Sequence, residues 1–119
     1  MYLKYILMSK LEEKITAYVA EAKKLNLSLD EKLIAAVAKG LGPSIYNADA
    51  ETIASSDQAE LDRVKNNFLV KKLGLTDSPA LDSAIDEVIE QVGKSNRNKY
   101  RAIVYALLVK KFNKESVYA

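Results

Sequence analysis

Apolar residues recur three and four positions apart along most of the chain, which is the spacing of helices that bury one face. Ser9 followed by Glu12 is a capping box, and it predicts that a first helix begins there. A second capping box, Ser28 followed by Glu31, predicts a second helix, which should end with Gly40 in the left-handed conformation.

Three further helices are predicted beyond an irregular stretch, residues 40–56, which has room for one or two short helical turns. A long helix opens at Ser56-Asp57 and ends at Gly74. The next helix has Pro79 in its first turn, where a missing N–H group costs nothing, and it ends at Gly93.

The last predicted helix begins near Ser95 or Asn96 and runs to about Asn113. It differs from the others because its centre, residues 102–109, is apolar on every side, which is typical of a buried helix. No segment alternates as a strand does. We therefore expect an all-α fold: a compact single-domain bundle of about five main helices plus one or two short helical turns, with the last helix central and buried.

The composition excludes several kinds of chemistry. The 119 residues include no cysteine and no histidine, which excludes disulfides, imidazole-based catalytic triads and metals held by cysteine or histidine. The carboxylates of Asp82, Asp86 and Glu90 form a stripe along one predicted helix, which we interpret as a solvated face. We expect no metal and no cofactor, and no catalytic residue stands out.

Residues 1–7 form an apolar N-terminal extension ahead of a single helical domain, residues 8–119. The extension lacks the long apolar core and the cleavage site of a secretory signal. The longest apolar run in the chain is also too short to span a bilayer. We expect a cytoplasmic protein with no membrane partner.

The charge is uneven although the net charge is only +2. Residues 94–119 hold seven cations and one anion. Arg97, Lys99 and Arg101 would lie in the first turns of the last helix, where the helix dipole opposes positive charge. One explanation is a bound anion, held by these cations together with the N–H groups near Ser95 and Asn96.

The other explanation is internal and is the one that we favour. Because the turn at Gly93 is short, Glu87 and Glu90 should lie close to the same three cations and pair with them. The sequence leaves both explanations open.

Three sequence blocks carry a resemblance to a known family: GLGPSIYNAD (40–49), VKNNFLVKKLGL (64–75) and GKSNRNKYRAIVYALLVKKFNKESVY (93–118). Over about residues 8–118 the chain resembles a family of small bacterial proteins that is known only as a domain of unknown function. The resemblance implies a bacterial, single-domain protein, and it carries no activity, ligand or catalytic residue to transfer.

We therefore expect a non-catalytic helical interaction module of unknown biological role, which binds an unknown protein partner or forms a homo-oligomer. The alternative is nucleic-acid or phosphate binding through the basic start of the last helix, for which a helix-turn-helix centred on Gly93 is one possible form. A third interpretation is an enzyme that uses carboxylate, lysine or tyrosine side chains. Salt-dependent binding would distinguish the nucleic-acid alternative.

Overall fold

A computed structural model describes residues 9–119 of the protein, and 71% of these residues are helical. Two 3₁₀ turns, Gly42–Tyr46 and Glu115–Tyr118, accompany the α-helices. The α-helices are α1 (Lys10–Lys24), α2 (Glu31–Leu41), α3 (Ala48–Glu51), α4 (Gln58–Arg63), α5 (Pro79–Val92) and α6 (Arg101–Lys111).

The start of α1 agrees with the sequence, and the start of α2 does not. The Ser9 hydroxyl oxygen accepts a hydrogen bond from the Glu12 N–H at 3.1 Å, as the first capping box predicts. Helix α2 is capped by Asp30, whose carboxylate accepts from the Lys32 N–H at 2.9 Å, so the prediction of a cap at Ser28 was wrong. Asp30 lies closer to the helix and is an equally good N-cap residue.

The end of α2 also lies later than predicted. Gly40 is inside the helix, and the residue with positive φ (65°) is Gly42. Pro43 follows directly and opens the first 3₁₀ turn. Gly42 rather than Gly40 therefore ends the helix, because Pro43 prevents the helix from continuing.

Helix α4 continues without a break into a nine-residue π-helix, Val64–Lys72. Together they form the long predicted third helix, capped by Asp57 and followed by Gly74 with a φ of 72°. Helix α5 has Pro79 in its first turn, as predicted, and Gly93 follows it with a φ of 105°.

Helix α6 begins at Arg101, which corrects the prediction of a start near Ser95 or Asn96. The Asn96 side chain accepts from the Asn98 N–H at 2.8 Å, and the Ile53 N–H donates to the Lys99 carbonyl at 2.9 Å. Asparagine side chains compete in this way with helical hydrogen bonds. The segment therefore forms turns and a single β-bridge between Thr52 and Tyr100, with no strand among residues 9–119.

The predicted central position of the last helix is confirmed. Every residue from Ala102 to Val109 is buried, and α6 packs against α1, α2, α3 and α5. The described chain thus has five main helices around one core, in agreement with the predicted all-α bundle. The predicted extension, residues 1–7, lies outside the described residues.

Candidate functional site

Among the five residues predicted to hold an anion, Lys99 and Arg101 bind different partners. Arg97 is exposed and forms no ion pair within residues 9–119, and the Lys99 ammonium donates to the Asn96 carbonyl at 2.6 Å. The Asn96 side chain donates to the Val92 carbonyl at 3.0 Å. Because the helix begins at Arg101, the N–H groups of Ser95 and Asn96 do not form a helix N-terminus. Anion binding by Ser95, Asn96, Arg97, Lys99 and Arg101 stays a prediction. It no longer has the support of a helix N-terminus at Ser95 and Asn96.

The predicted internal pairing was wrong. Glu87 pairs with Lys111, and Glu90 lies 3.8 Å from Lys94, so neither carboxylate meets the three cations. The turns between α5 and α6 direct the chain toward residues 52 and 53 instead of starting a helix beside α5. A helix-turn-helix is also excluded, because α6 is buried along its centre and has no face free for a DNA groove.

Arg101 instead forms a buried ion pair with Glu60, whose side chains are only 14% and 10% exposed. The guanidinium donates three hydrogen bonds: Nη2 donates to Glu60, Nε donates to the Ala50 carbonyl at 2.8 Å, and Nη1 donates to the Tyr105 hydroxyl at 3.1 Å. Arg101 therefore joins α3, α4 and α6. Buried ion pairs are only weak evidence for stability, so this pair is a candidate for a further role.

A cleft of about 450 Å³ opens beside this ion pair, and we call it the polar cleft. Arg63 forms part of its wall and donates to Glu60 from Nε at 3.1 Å and from Nη2 at 2.8 Å. Glu60 is thus held between two arginines. The other residues lining the polar cleft are Ser44, Asn47, Asp49, Ala50, Asn67, Arg101 and Tyr105.

Two groups of the polar cleft have shifted protonation equilibria. Burial raises the pKa of Tyr105 above its ordinary value, although Arg101 opposes the shift. Burial alone would lower the pKa of Arg101, but its interactions with Tyr105 and Glu60 outweigh burial and raise it. Tyr105 therefore stays neutral and Arg101 stays charged at neutral pH. The Tyr105 ring also stacks on Phe68 with a 3.8 Å centroid separation.

A second polar cluster joins α1 to α3. The Tyr18 hydroxyl donates to Glu51 Oε2 at 2.6 Å, and the Lys14 ammonium donates to the same oxygen at 2.8 Å. Burial, together with the bond to Glu51, raises the pKa of Tyr18 strongly. This cluster contributes no residue to the polar cleft, so we interpret it as a structural link between helices.

A second concave surface, the α1–α2 groove, is mostly apolar and has a volume of about 580 Å³. Ile15 and Val19 of α1 and Ala35 of α2 line it, and all three are only partly buried. Thr16 and Ala20, which are exposed, also line it, and the charged residues Lys23, Glu31 and Lys32 complete its lining. Small residues such as Thr16 and Ala20 let a second helix approach closely.

The two ends of α1, the helix that forms one side of this groove, carry opposite charges. Glu12 and Glu13 lie in its first turn and Lys23 and Lys24 in its last, and all four are exposed. Lys23 forms an exposed ion pair with Glu31 at 3.2 Å, whereas Glu13 and Lys24 form none within the described part of the chain.

The carboxylate stripe on α5 is exposed, as expected for a solvated face. Asp82 pairs with Lys65 at 3.2 Å, and Asp86 has no ion pair among residues 9–119. No group of three or more acidic side chains in this part of the chain is placed to hold a metal ion. No helix between residues 9 and 119 has the length and apolar character needed to cross a membrane.

A family model with the description "Protein of unknown function (DUF2853)" matches residues 17–116. The chain belongs to the DUF2853 family. The resemblance that the three sequence blocks carry is thereby confirmed, and every residue that lines the polar cleft lies within the part matched by the DUF2853 model. No curated protein matches the chain.

Neither Glu60 nor Arg63 was predicted from the sequence to belong to a site. A signal was present, because Glu60, Val64 and Phe68 lie four residues apart and therefore share one helix face. A carboxylate in line with two buried apolar residues indicates a buried charge that needs a partner. Arg101 was predicted to belong to a site, but with Glu87 and Glu90 or a bound anion as its partner and not with Glu60.

Proposed function

We propose that the protein is a non-catalytic helical interaction module whose partner is a second copy of the same chain, bound along the α1–α2 groove. The observation that carries this proposal is the combination of an apolar groove with the charge pattern of the neighbouring helix. We expect this association to take place in the cytoplasm.

The charge pattern of α1 complements itself in an antiparallel pair. Glu13 and Lys24 are eleven residues apart, or about 17 Å along a helix. A two-fold axis between Tyr18 and Val19 would bring Glu13 of each copy opposite Lys24 of the other. The same charges also interact favourably with the helix dipole, so the charge pattern alone is not evidence for a partner. The evidence for a partner is the exposed apolar surface of the groove.

The apolar part of the contact follows from the same geometry. The small side chains of Thr16 and Ala20 of one copy would enter the groove of the other, where they would cover Ile15, Val19 and Ala35. Because exposed ion pairs contribute little, most of the affinity must come from this apolar burial. We expect a reversible dimer whose fraction rises with protein concentration.

Analytical ultracentrifugation over a range of concentrations tests the groove. Ala20→Glu places a charge in the apolar contact and should make the protein monomeric. Ala80→Glu, at an exposed position of α5, is the matched control and should dimerise like wild type. A wild-type protein that stays monomeric at the highest concentration, or an unchanged Ala20→Glu variant, would overturn the proposal.

A charge exchange tests the orientation. Glu13→Lys alone and Lys24→Glu alone should each weaken the dimer, because like charges then face each other across the two-fold axis. The double variant should restore it. Failure of the double variant to recover, with both single variants still folded by circular dichroism, would exclude the antiparallel arrangement.

A further inference from the structure

We propose that the polar cleft binds a small zwitterion of the amino-acid type, whose carboxylate faces Arg63 and Tyr105 and whose ammonium group faces Asp49. This site is separate from the α1–α2 groove and does not depend on self-association.

The basic wall of the polar cleft has hydrogen-bond donors that have no acceptor among residues 9–119. Arg63 uses Nε and Nη2 on Glu60, so its Nη1 group donates to no residue between 9 and 119, and its side chain is 57% exposed. The Tyr105 oxygen accepts from Arg101, which leaves the hydroxyl hydrogen free to donate. A guanidinium and a hydroxyl together suit a carboxylate.

The acidic wall is formed by Asp49, which is exposed. Asp49 directly precedes Ala50, whose carbonyl oxygen accepts from Arg101. Even so, Asp49 forms no ion pair with Arg101 or Arg63, or with any other residue of the described chain. Charges of opposite sign therefore face the same space without meeting. A ligand that carries both charges can bridge them.

The charge balance selects against simpler ligands. The two arginines are balanced by Glu60 and Asp49, so the lining has no net charge. An anion alone would be repelled by Asp49, and a cation alone by Arg63. A volume of about 450 Å³ lies within the range of small-molecule sites, about 300–1,000 Å³.

The π-helix adds an independent observation. Asn67 lies in it and lines the polar cleft, and its side chain is exposed and forms no hydrogen bond with any described residue. π-Helical segments are rare and occur frequently at functional sites. Asn67 thus offers a further donor and acceptor to the ligand.

The test is an NMR titration of the ¹⁵N-labelled protein with each of the standard amino acids at millimolar concentration. At least one should give saturable shifts in the amides of residues 44–50 and 63–67. Arg63→Gln and Asp49→Asn should each weaken that binding about tenfold, since each removes one charged hydrogen-bond partner. Arg97→Gln and Asp86→Asn make the same changes at exposed sites outside the polar cleft and should leave binding intact.

Derivatives of the best amino acid distinguish a zwitterion from a simpler ligand. Its N-acetyl form keeps only the carboxylate, and its amide keeps only the ammonium group, so both should bind at least tenfold more weakly. The proposal is overturned if no amino acid saturates, if either derivative binds equally well, or if neither Arg63→Gln nor Asp49→Asn changes the affinity.

Discussion

The ring of Tyr118 lies against Gly40 of α2, so close that a Cβ atom at position 40 would be 3.2 Å from Tyr118 Cε1. The Lys72 ammonium lies 5.4 Å from the centre of the same ring. Burial raises the pKa of Tyr118, as expected for a hydroxyl withdrawn from water. One aromatic side chain therefore links the C-terminal turn to α2 and to the π-helix.

This contact predicts that Gly40→Leu will destabilise the protein by about 1–3 kcal/mol, the usual cost of overpacking. The leucine side chain would displace Tyr118, and this cost should exceed the gain from the higher helix propensity of leucine relative to glycine. Urea unfolding measures the cost. In a Tyr118→Ala background the same substitution should cost much less, and an equal cost in both backgrounds would show that Tyr118 is not the obstacle.

The central position of α6 predicts a large effect at Leu108, which is fully buried. Leu108→Ala should lower the free energy of unfolding by about 2–5 kcal/mol, because it leaves a cavity that the surrounding helices cannot fill. Val117→Ala, at a residue that is 38% exposed, is the matched control and should change stability by less than about 0.5 kcal/mol. A Leu108→Ala variant as stable as the control would contradict the central placement.

The helices that the sequence predicted well are those with an apolar stripe and a single dominant cap. Residues 102–109 needed no tertiary information, because a segment that is apolar on every side has only the interior to occupy. Helix ends were predicted less well where two candidates compete, as with Ser28 and Asp30 or with Gly40 and Gly42. The local sequence pattern cannot decide which of two nearby residues ends or begins a helix when their capping propensities are similar.

The polar cleft could not be predicted from local sequence pattern, for a different reason. Arg101 and Glu60 are 41 residues apart, and their pairing depends on how α3, α4 and α6 pack together. The predicted pairing of Arg101 with Glu87 and Glu90 depended on a helix that runs through residues 96–100, and the structure has turns there. The hydrogen bond from Ile53 to Lys99 is a long-range interaction, and no helical periodicity reports it.

The Tyr18–Glu51 hydrogen bond predicts a loss of stability at alkaline pH. The ordinary pKa of tyrosine is about 10, and burial and the Glu51 carboxylate raise the pKa of Tyr18 above this value in the folded state. Below pH about 10 Tyr18 is protonated in both states, and its contribution is complete. Above that pH the unfolded state loses its proton first, so the free energy of unfolding falls as the pH rises.

Tyr18→Phe should therefore change both the level and the slope of the pH profile. At neutral pH the variant should be less stable by about 1.5–3 kcal/mol, since it lacks a hydrogen bond to a charged group. Above pH about 10 its stability should fall less steeply than that of wild type. Urea unfolding at a series of pH values measures both quantities. Parallel profiles for the two proteins would show that Tyr18 does not keep its proton in the folded state.

The Glu60–Arg101 ion pair predicts a strong coupling between the two residues. Arg101→Met should lower the free energy of unfolding by about 3–5 kcal/mol, because it removes one partner of a buried pair. Arg63→Met removes the more exposed partner of the same carboxylate and should cost less than about 1 kcal/mol. The double variant Glu60→Leu with Arg101→Met removes the buried carboxylate together with its buried partner, so it should be more stable than Arg101→Met alone. Additive losses in this double-mutant cycle would mean that the two side chains stabilise the fold independently, and the ion pair would then not explain why both are buried.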